Sequence, residues 1–216
     1  MAELILVRHG QANSTAQDAE SYDNLSDLGH QQTTWLGHHF HTTNPHFDRV
    51  ICGTLRRQNQ SAAAMGHSTP TIDARLNEFD YFGLSQALQD EHELPMPQDG
   101  AGFAAHVPVL LKHWENGDIS TAKESFQDFE NRVLEALTEA AAPGGRILMV
   151  TSGGVISMTL RYLLGLDLAG TAKIMLQTMN SSYHQIEKIH GQLILSKFNA
   201  TPHLDTPDRA HARTFV

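Results

Sequence analysis

Three short polar clusters combine residue types that handle phosphoryl groups: Arg8-His9-Gly10-Gln11, Gly53-Thr54-Leu55-Arg56-Arg57 and Thr151-Ser152-Gly153-Gly154. Each follows a brief apolar run, and two of them carry arginine. A guanidinium fork matches the oxygens of a phosphate in paired hydrogen bonds. Gly10 and the Gly153-Gly154 pair let backbone approach a ligand where a side chain would obstruct it. His9 admits three roles, as general base, metal ligand or nucleophile. Adjacent Arg8 repels a cation and no acidic residue lies in the first loop, which weakens the metal reading and leaves no metal expected. With arginines holding a phosphoryl group, a neutral imidazole can attack phosphorus and split a hard hydrolysis into two easier steps. The leaving alkoxide then needs a proton. Glu78, in Arg75-Leu76-Asn77-Glu78-Phe79-Asp80-Tyr81, stands among apolar and aromatic neighbours that favour the protonated carboxyl. The plain alternative for Glu78 is a solvated loop carboxylate.

Such clusters need elements to converge them. Leu4 to Val7, Val50-Ile51-Cys52 and Ile147 to Val150 read as strands buried on both faces. Helices are expected from a Ser26 N-cap through Leu28, Leu36 and Phe40, and over Leu55 to Met65. Thr121 to Ala142 places Phe126, Phe129, Val133, Leu134 and Leu137 on one stripe before Pro143-Gly144-Gly145. Val155 to Leu164 and Lys173 to Gln177 read as helical, while Ser182 to Ile189 and Gln192 to Phe198 flank Gly191 as a hairpin. The alternation predicts a three-layer α/β/α fold whose sheet is mostly parallel with an antiparallel edge. Ligands bind such sheets outside the carboxyl ends of the strands, where all three clusters fall. One domain over residues 1–216 is expected, with a helical insertion at about 84–117.

The 216 residues carry a net charge of −9, 40% apolar content and a single cysteine, Cys52. That charge argues against nucleic-acid and anionic-membrane partners, which need a cationic surface. One cysteine excludes an intrachain disulfide and a multi-cysteine zinc site. The N-terminal run of four apolar residues is far short of a signal or membrane segment, so the reading is cytoplasmic. Histidine is abundant, with 14 in the chain. His38, His39 and His41 read as a solvated helix face, and Cys52 as a small core residue.

Taken in order, the motifs resemble the histidine phosphatase superfamily, the phosphoglycerate-mutase-like proteins, from about Leu4 to Phe198. Leu6-Val7-Arg8-His9-Gly10-Gln11 is similar to the signature whose histidine is phosphorylated. Leu25-Ser26-Asp27-Leu28-Gly29-His30-Gln31-Gln32 resembles the family's Leu-Thr/Ser-x-x-Gly-x-x-Gln helix start. Leu55-Arg56-Arg57-Gln58-Asn59-Gln60-Ser61 resembles its Leu-x-Arg-Ala-x-x-Thr segment. Leu76-Asn77-Glu78, followed by Gly83, resembles its Leu-x-Glu region. The resemblance implies His9 as nucleophile, Arg8 and Arg57 binding the phosphoryl group, and Glu78 as acid and then base. Gln11, Ser152 and Gly153 are expected around the phosphate, with no cofactor.

One position departs. Relatives usually end the fourth strand Ser-His-Gly-Gly, whereas here Ser152 stands in the histidine's place, as in some branches that carry Thr-Ser-Gly-Gly. Losing a charged donor at a transition state costs on the order of 2–4 kcal/mol, or roughly two to three decades in rate. Arg56, the backbone at Gly153 and Gly154, His184 and His203 are the candidate compensations. The expected activity is hydrolysis of a small phosphomonoester through a phosphohistidine on His9. The alternative is a weakly active relative that binds phosphorylated ligands or a partner protein, with a phosphoglycerate mutase behind both. The sequence leaves the oligomeric state open, a homodimer being one option.

Overall fold

The first apolar run forms β1 (Ala2–Arg8), in which only Glu3 is even partly exposed. The strand period of two sends Leu4 and Leu6 to one face and Ile5 and Val7 to the other, and each pair enters a separate apolar cluster. β4 (Gly145–Thr151) divides in the same way, with Ile147 and Met149 opposite Leu148 and Val150. A sheet that is apolar on both faces must be covered on both. The computed structural model describes residues 2–13, 16 and 18–215, so Met1 and Val216, at the ends of the expected domain, lie outside the described residues.

On one face lie α2 (Asp27–Thr43), through Leu36 and Phe40, and α3 (Arg56–Ala64), through Ala62. The other face is covered by α4 (Tyr81–His92), α5 (Gly100–Asn116), α6 (Phe126–Ala141), α7 (Gly153–Leu164) and α8 (Leu168–Gln177). The sheet is completed by β2 (Arg49–Cys52), β3 (Thr71–Ile72), β5 (Tyr183–Ile189) and β6 (Gln192–Ala200), in the order β3-β2-β4-β1-β5-β6. Its first four members are parallel, and β5 and β6 run antiparallel at the edge. This is the three-layer, mostly parallel architecture expected. His190 and Gly191 join β5 to β6 with φ of 50° and 85°, the positive pair that lets a two-residue turn follow the twist of its strands.

Ser26 caps α2 by accepting from Gly29 N at 3.0 Å. α6 starts at Phe126 rather than near Thr121, for a reason outside the helix. Glu91 of α4 takes up the Ser120 and Thr121 backbone N–H groups and the Thr121 hydroxyl. The helix is instead opened by Ser125, which accepts from Asp128 N. α7 begins two residues before the expected Val155, so the Gly153-Gly154 pair lies in its first turn. α4 lies largely in the stretch expected as a helical insertion, about 84–117, but was not read as a separate helix; Asp80 caps it through Gly83 N, so it begins at Tyr81. A short α1 (Ala19–Tyr22) precedes α2.

Candidate active site

The carboxyl ends of β1, β4 and β2 are level, with Arg8 opposite Thr151 and Cys52 opposite Val150. The three polar clusters therefore leave the sheet side by side. β5, running the other way, brings its entry to the same place: Arg8 N donates to Ser182 O at 3.0 Å and Ser181 N donates to His9 O at 3.2 Å.

His9 is buried, with its Nδ1 2.7 Å from Gly10 O. A carbonyl can only accept, so Nδ1 carries the hydrogen. Nε2 is left with its lone pair, and it accepts from Arg57 Nε at 3.2 Å. Burial, followed by the charges of Arg57 and Arg8, holds the imidazole pKa well below its ordinary value. The ring is thus neutral and its tautomer is set. Gly10 is forced by close approach, because a Cβ there would lie 2.3 Å from Gly29 O, in the first turn of α2.

Arg57 is fixed at a second point, where its Nη1 meets Asp23 Oδ1 at 2.9 Å. The same carboxylate accepts from the backbone N–H groups of Arg56 and Arg57. These are orphan donors of α3, whose N-cap position is held by Leu55, which has no side-chain acceptor. The Tyr22 ring lies 5.1 Å from the Arg57 guanidinium. Arg8 also donates through Nη1 to Thr178 O, while its buried Nε has no partner among the described residues.

Glu78 Oε2 accepts from Gly154 N at 2.9 Å, at the start of α7. Gly154 tolerates no side chain there, since a Cβ would stand 2.1 Å from Glu78 Oε1. A Cβ on Gly153 would project to 3.6 Å from Arg8 Nε and 4.0 Å from Glu78 Oε2, so its absence keeps open the space between these two groups. A cavity of about 500 Å³ adjoins Glu78, bounded by Asp80, Leu84, Trp114, Lys123 and Arg132.

His9, Arg8, Arg57, Glu78 and Gly153 are therefore brought together, with Ser152 beside them. Ser152 is buried and its Oγ accepts from Gln58 Nε2 at 2.8 Å. Gln11 stands at the start of α2, where its Oε1 accepts from Ser26 Oγ at 2.8 Å. Arg56 is exposed and touches this network through its backbone N–H. Tyr22, Asp23, Gln58 and Thr178 escaped the sequence reading. Their partners are remote in the chain, and the one hint was the uncapped start of α3 at Leu55. Cys52 is buried and its thiol is pushed up to about 12 by burial, in keeping with a core residue.

Neither candidate auxiliary histidine can supply a charge. His184 Nδ1 accepts from Asn199 N, so its Nε2–H donates to Ser182 Oγ. His203 Nε2 is 2.8 Å from Ser181 Oγ. Burial brings both down to about 3 from 6.5, with Arg8 adding to the effect at His184, and His39 and Arg209 at His203. Above pH 6.5 both are neutral in the folded and unfolded chain. Between 6.5 and 3 the unfolded chain binds protons that the folded one refuses, so stability must fall as pH falls across that window. Melting temperatures measured from pH 7 to pH 4 should decline steadily, and His184→Asn should make the slope shallower. An unchanged slope would exclude His184 as a source of the acid sensitivity.

Comparison with known proteins now adds to this geometry. The profile of the histidine phosphatase superfamily (branch 1) matches residues 4–201. A broad-specificity phosphatase of Saccharomyces cerevisiae is 27% identical over 173 residues, covering 74% of this chain and 69% of that protein. Among solved structures, a phosphoserine phosphatase mutant from Entamoeba histolytica in complex with phosphoserine superposes with a TM-score of 0.69 at 18% identity. The match covers 94% of this chain and 100% of that one. A mycobacterial glucosyl-3-phosphoglycerate phosphatase in complex with VO3 gives 0.62 at 23% identity, covering 93% and 100%. At these identities the superpositions speak to the fold. Among the described residues no helix is long and apolar enough to cross a membrane. With the profile spanning nearly the whole chain, the protein belongs to branch 1 of the histidine phosphatase superfamily.

Proposed function

We propose that the protein hydrolyses small phosphomonoesters and that the phosphoryl group passes through His9. The observation that carries this reading is the unprotonated Nε2 of a buried, neutral imidazole, directed at the guanidinium that would hold the phosphate. Arg57 and the Nε of Arg8, which has no partner among the described residues, neutralise the phosphoryl oxygens, a role for which fixed cations in a buried site are well suited. Gly153 leaves room for the group. Gln11, with its Oε1 occupied by Ser26, offers its Nε2 to the rim, and Ser152 offers a hydroxyl.

In the first step Nε2 bonds to phosphorus, the P–O bond to the leaving group breaks, and protonated Glu78 gives its proton to the departing alkoxide. In the second, the Glu78 carboxylate takes a proton from water, whose oxygen bonds to phosphorus as the P–N bond breaks. Inorganic phosphate leaves, and Glu78 and Nε2 return to their starting states. Glu78 lines both the phosphoryl space and the neighbouring cavity, so the leaving group lies on the side of α4 and α5. Those two helices, near the stretch expected as an insertion at about 84–117, would sort substrates by what they admit. The phosphatase names of the yeast and Entamoeba relatives support a small phosphorylated substrate.

The test is to mix the protein with a radiolabelled monoester and quench within milliseconds. Bound label that acid releases and base does not, mapping to the peptide containing His9, is the expected result. Acid-stable label, or label on any other residue, would overturn the proposal.

A further inference from the structure

Ser152 leaves the sheet one residue after Thr151, the partner of Arg8 across the β1–β4 ladder, and directly before Gly153, which faces the Arg8 guanidinium. The Gln58 Nε2 that donates to its hydroxyl oxygen also donates to Leu76 O, at 2.9 Å. Because a carbonyl only accepts, this amide cannot be turned over: its nitrogen faces Leu76 and Ser152. Both Nε2 hydrogens are then in use, and Ser152 is an acceptor toward Gln58. The serine's own hydrogen has no acceptor among the described residues, and it does not cap α7.

The other end of the amide is wedged in place. Gln58 Oε1 lies 2.0 Å from where a Cβ on Gly53 would sit, so only a bare backbone at the end of β2 admits it. That oxygen is buried without a hydrogen-bond partner among the described residues. An unpaired buried acceptor costs stability, so an amide is a poor choice here on packing grounds alone.

We infer that Gln58 is a positioning residue: by filling the acceptor side of the Ser152 hydroxyl, it aims that hydroxyl's hydrogen at the phosphoryl oxygen held by Arg8 and Arg57. This rests on the reading of the preceding subsection. The pair supplies a neutral, pre-oriented donor at the end of β4. His184 and His203, engaged with Ser182 and Ser181, do not.

The experiment compares Ser152→Ala, Gln58→Leu and the double variant on p-nitrophenyl phosphate, with wild type and His9→Ala alongside. Removing a pre-oriented donor should lower kcat about 100-fold in Ser152→Ala. Gln58→Leu keeps the hydroxyl but frees it to rotate, and should lower kcat about 10-fold, with KM within about twofold in both. The double variant should be no slower than Ser152→Ala, because Gln58 acts only through the serine. A merely structural glutamine would cost the same in either background, and that result, or full kcat in Gln58→Leu, overturns the inference. Vanadate inhibition should weaken in the same non-additive pattern. If hydrolysis proves independent of His9, the preceding reading falls, and vanadate affinity alone then decides the pair: unchanged affinity in both variants overturns it. Gln58→Met, with melting curves, replaces Gln58→Leu if the latter does not fold.

Discussion

Replacing His9 with alanine should lower kcat for a phosphomonoester by about four to six orders of magnitude, the scale seen when a covalent nucleophile is removed. Its neighbours cannot stand in for it. Both guanidinium groups are cationic, Ser152 Oγ is engaged by Gln58, and Glu78 is needed for the proton. Ligand binding should respond differently. The imidazole is neutral, so its loss removes no attraction for an anion, and it frees the Nε–H that Arg57 now directs at Nε2. Calorimetric titration with inorganic phosphate should show affinity equal to or above that of the wild type. A variant that loses turnover and phosphate binding together would indicate that His9 holds the site's shape and would count against its role as nucleophile.

Arg57→Ala should reduce kcat/KM by about a thousandfold, and Arg57→Lys should recover little of it. The guanidinium works at two atoms at once, Nε on His9 and Nη1 on Asp23, with the Tyr22 ring against its face. A lysine ammonium is a point charge and cannot span both partners while offering a fork to phosphate. Loss of a preorganised charged donor from a buried site accounts for two to three decades. Release of Asp23 from its cation into the same site adds to the loss. Steady-state kinetics on both variants decides the matter: lysine restoring activity to within tenfold of the wild type would reduce Arg57 to a simple positive charge.

β1, β2 and β4 were legible because their apolar runs are short, continuous and stopped by glycine or polar clusters, and the positions of His9, Arg57 and Ser152 followed from those stops; β3, two exposed residues, was not read. α4 was read only as part of a helical stretch and not as a helix with its own start, since its buried apolar positions, Leu84, Ala87 and Leu88, are few. The late start of α6 was hidden for another reason, as it depends on Glu91 some thirty residues away. Asp23, Tyr22 and Gln58 belong to this second kind. Asp23 acts 34 positions downstream and Gln58 reaches Ser152 across 94, and no local pattern encodes a contact between segments that meet only after the sheet is assembled. The residues expected to touch phosphate could be read from types and motif order, whereas those that hold them in place needed the fold.

The central place of β1 sets when the site can come into being. Arg8 and His9 stand at the end of β1, yet the neighbours of that strand are β4 and β5, and the carbonyl that anchors Arg8 lies 170 residues later, at Thr178. Closing contacts of such long separation is the slow part of acquiring a structure like this one. The anchor that fixes the Arg8 guanidinium beside His9 is therefore absent until β4, β5 and the segment with Thr178 have joined the sheet. The arrangement proposed for catalysis is complete only once those long-range contacts have closed.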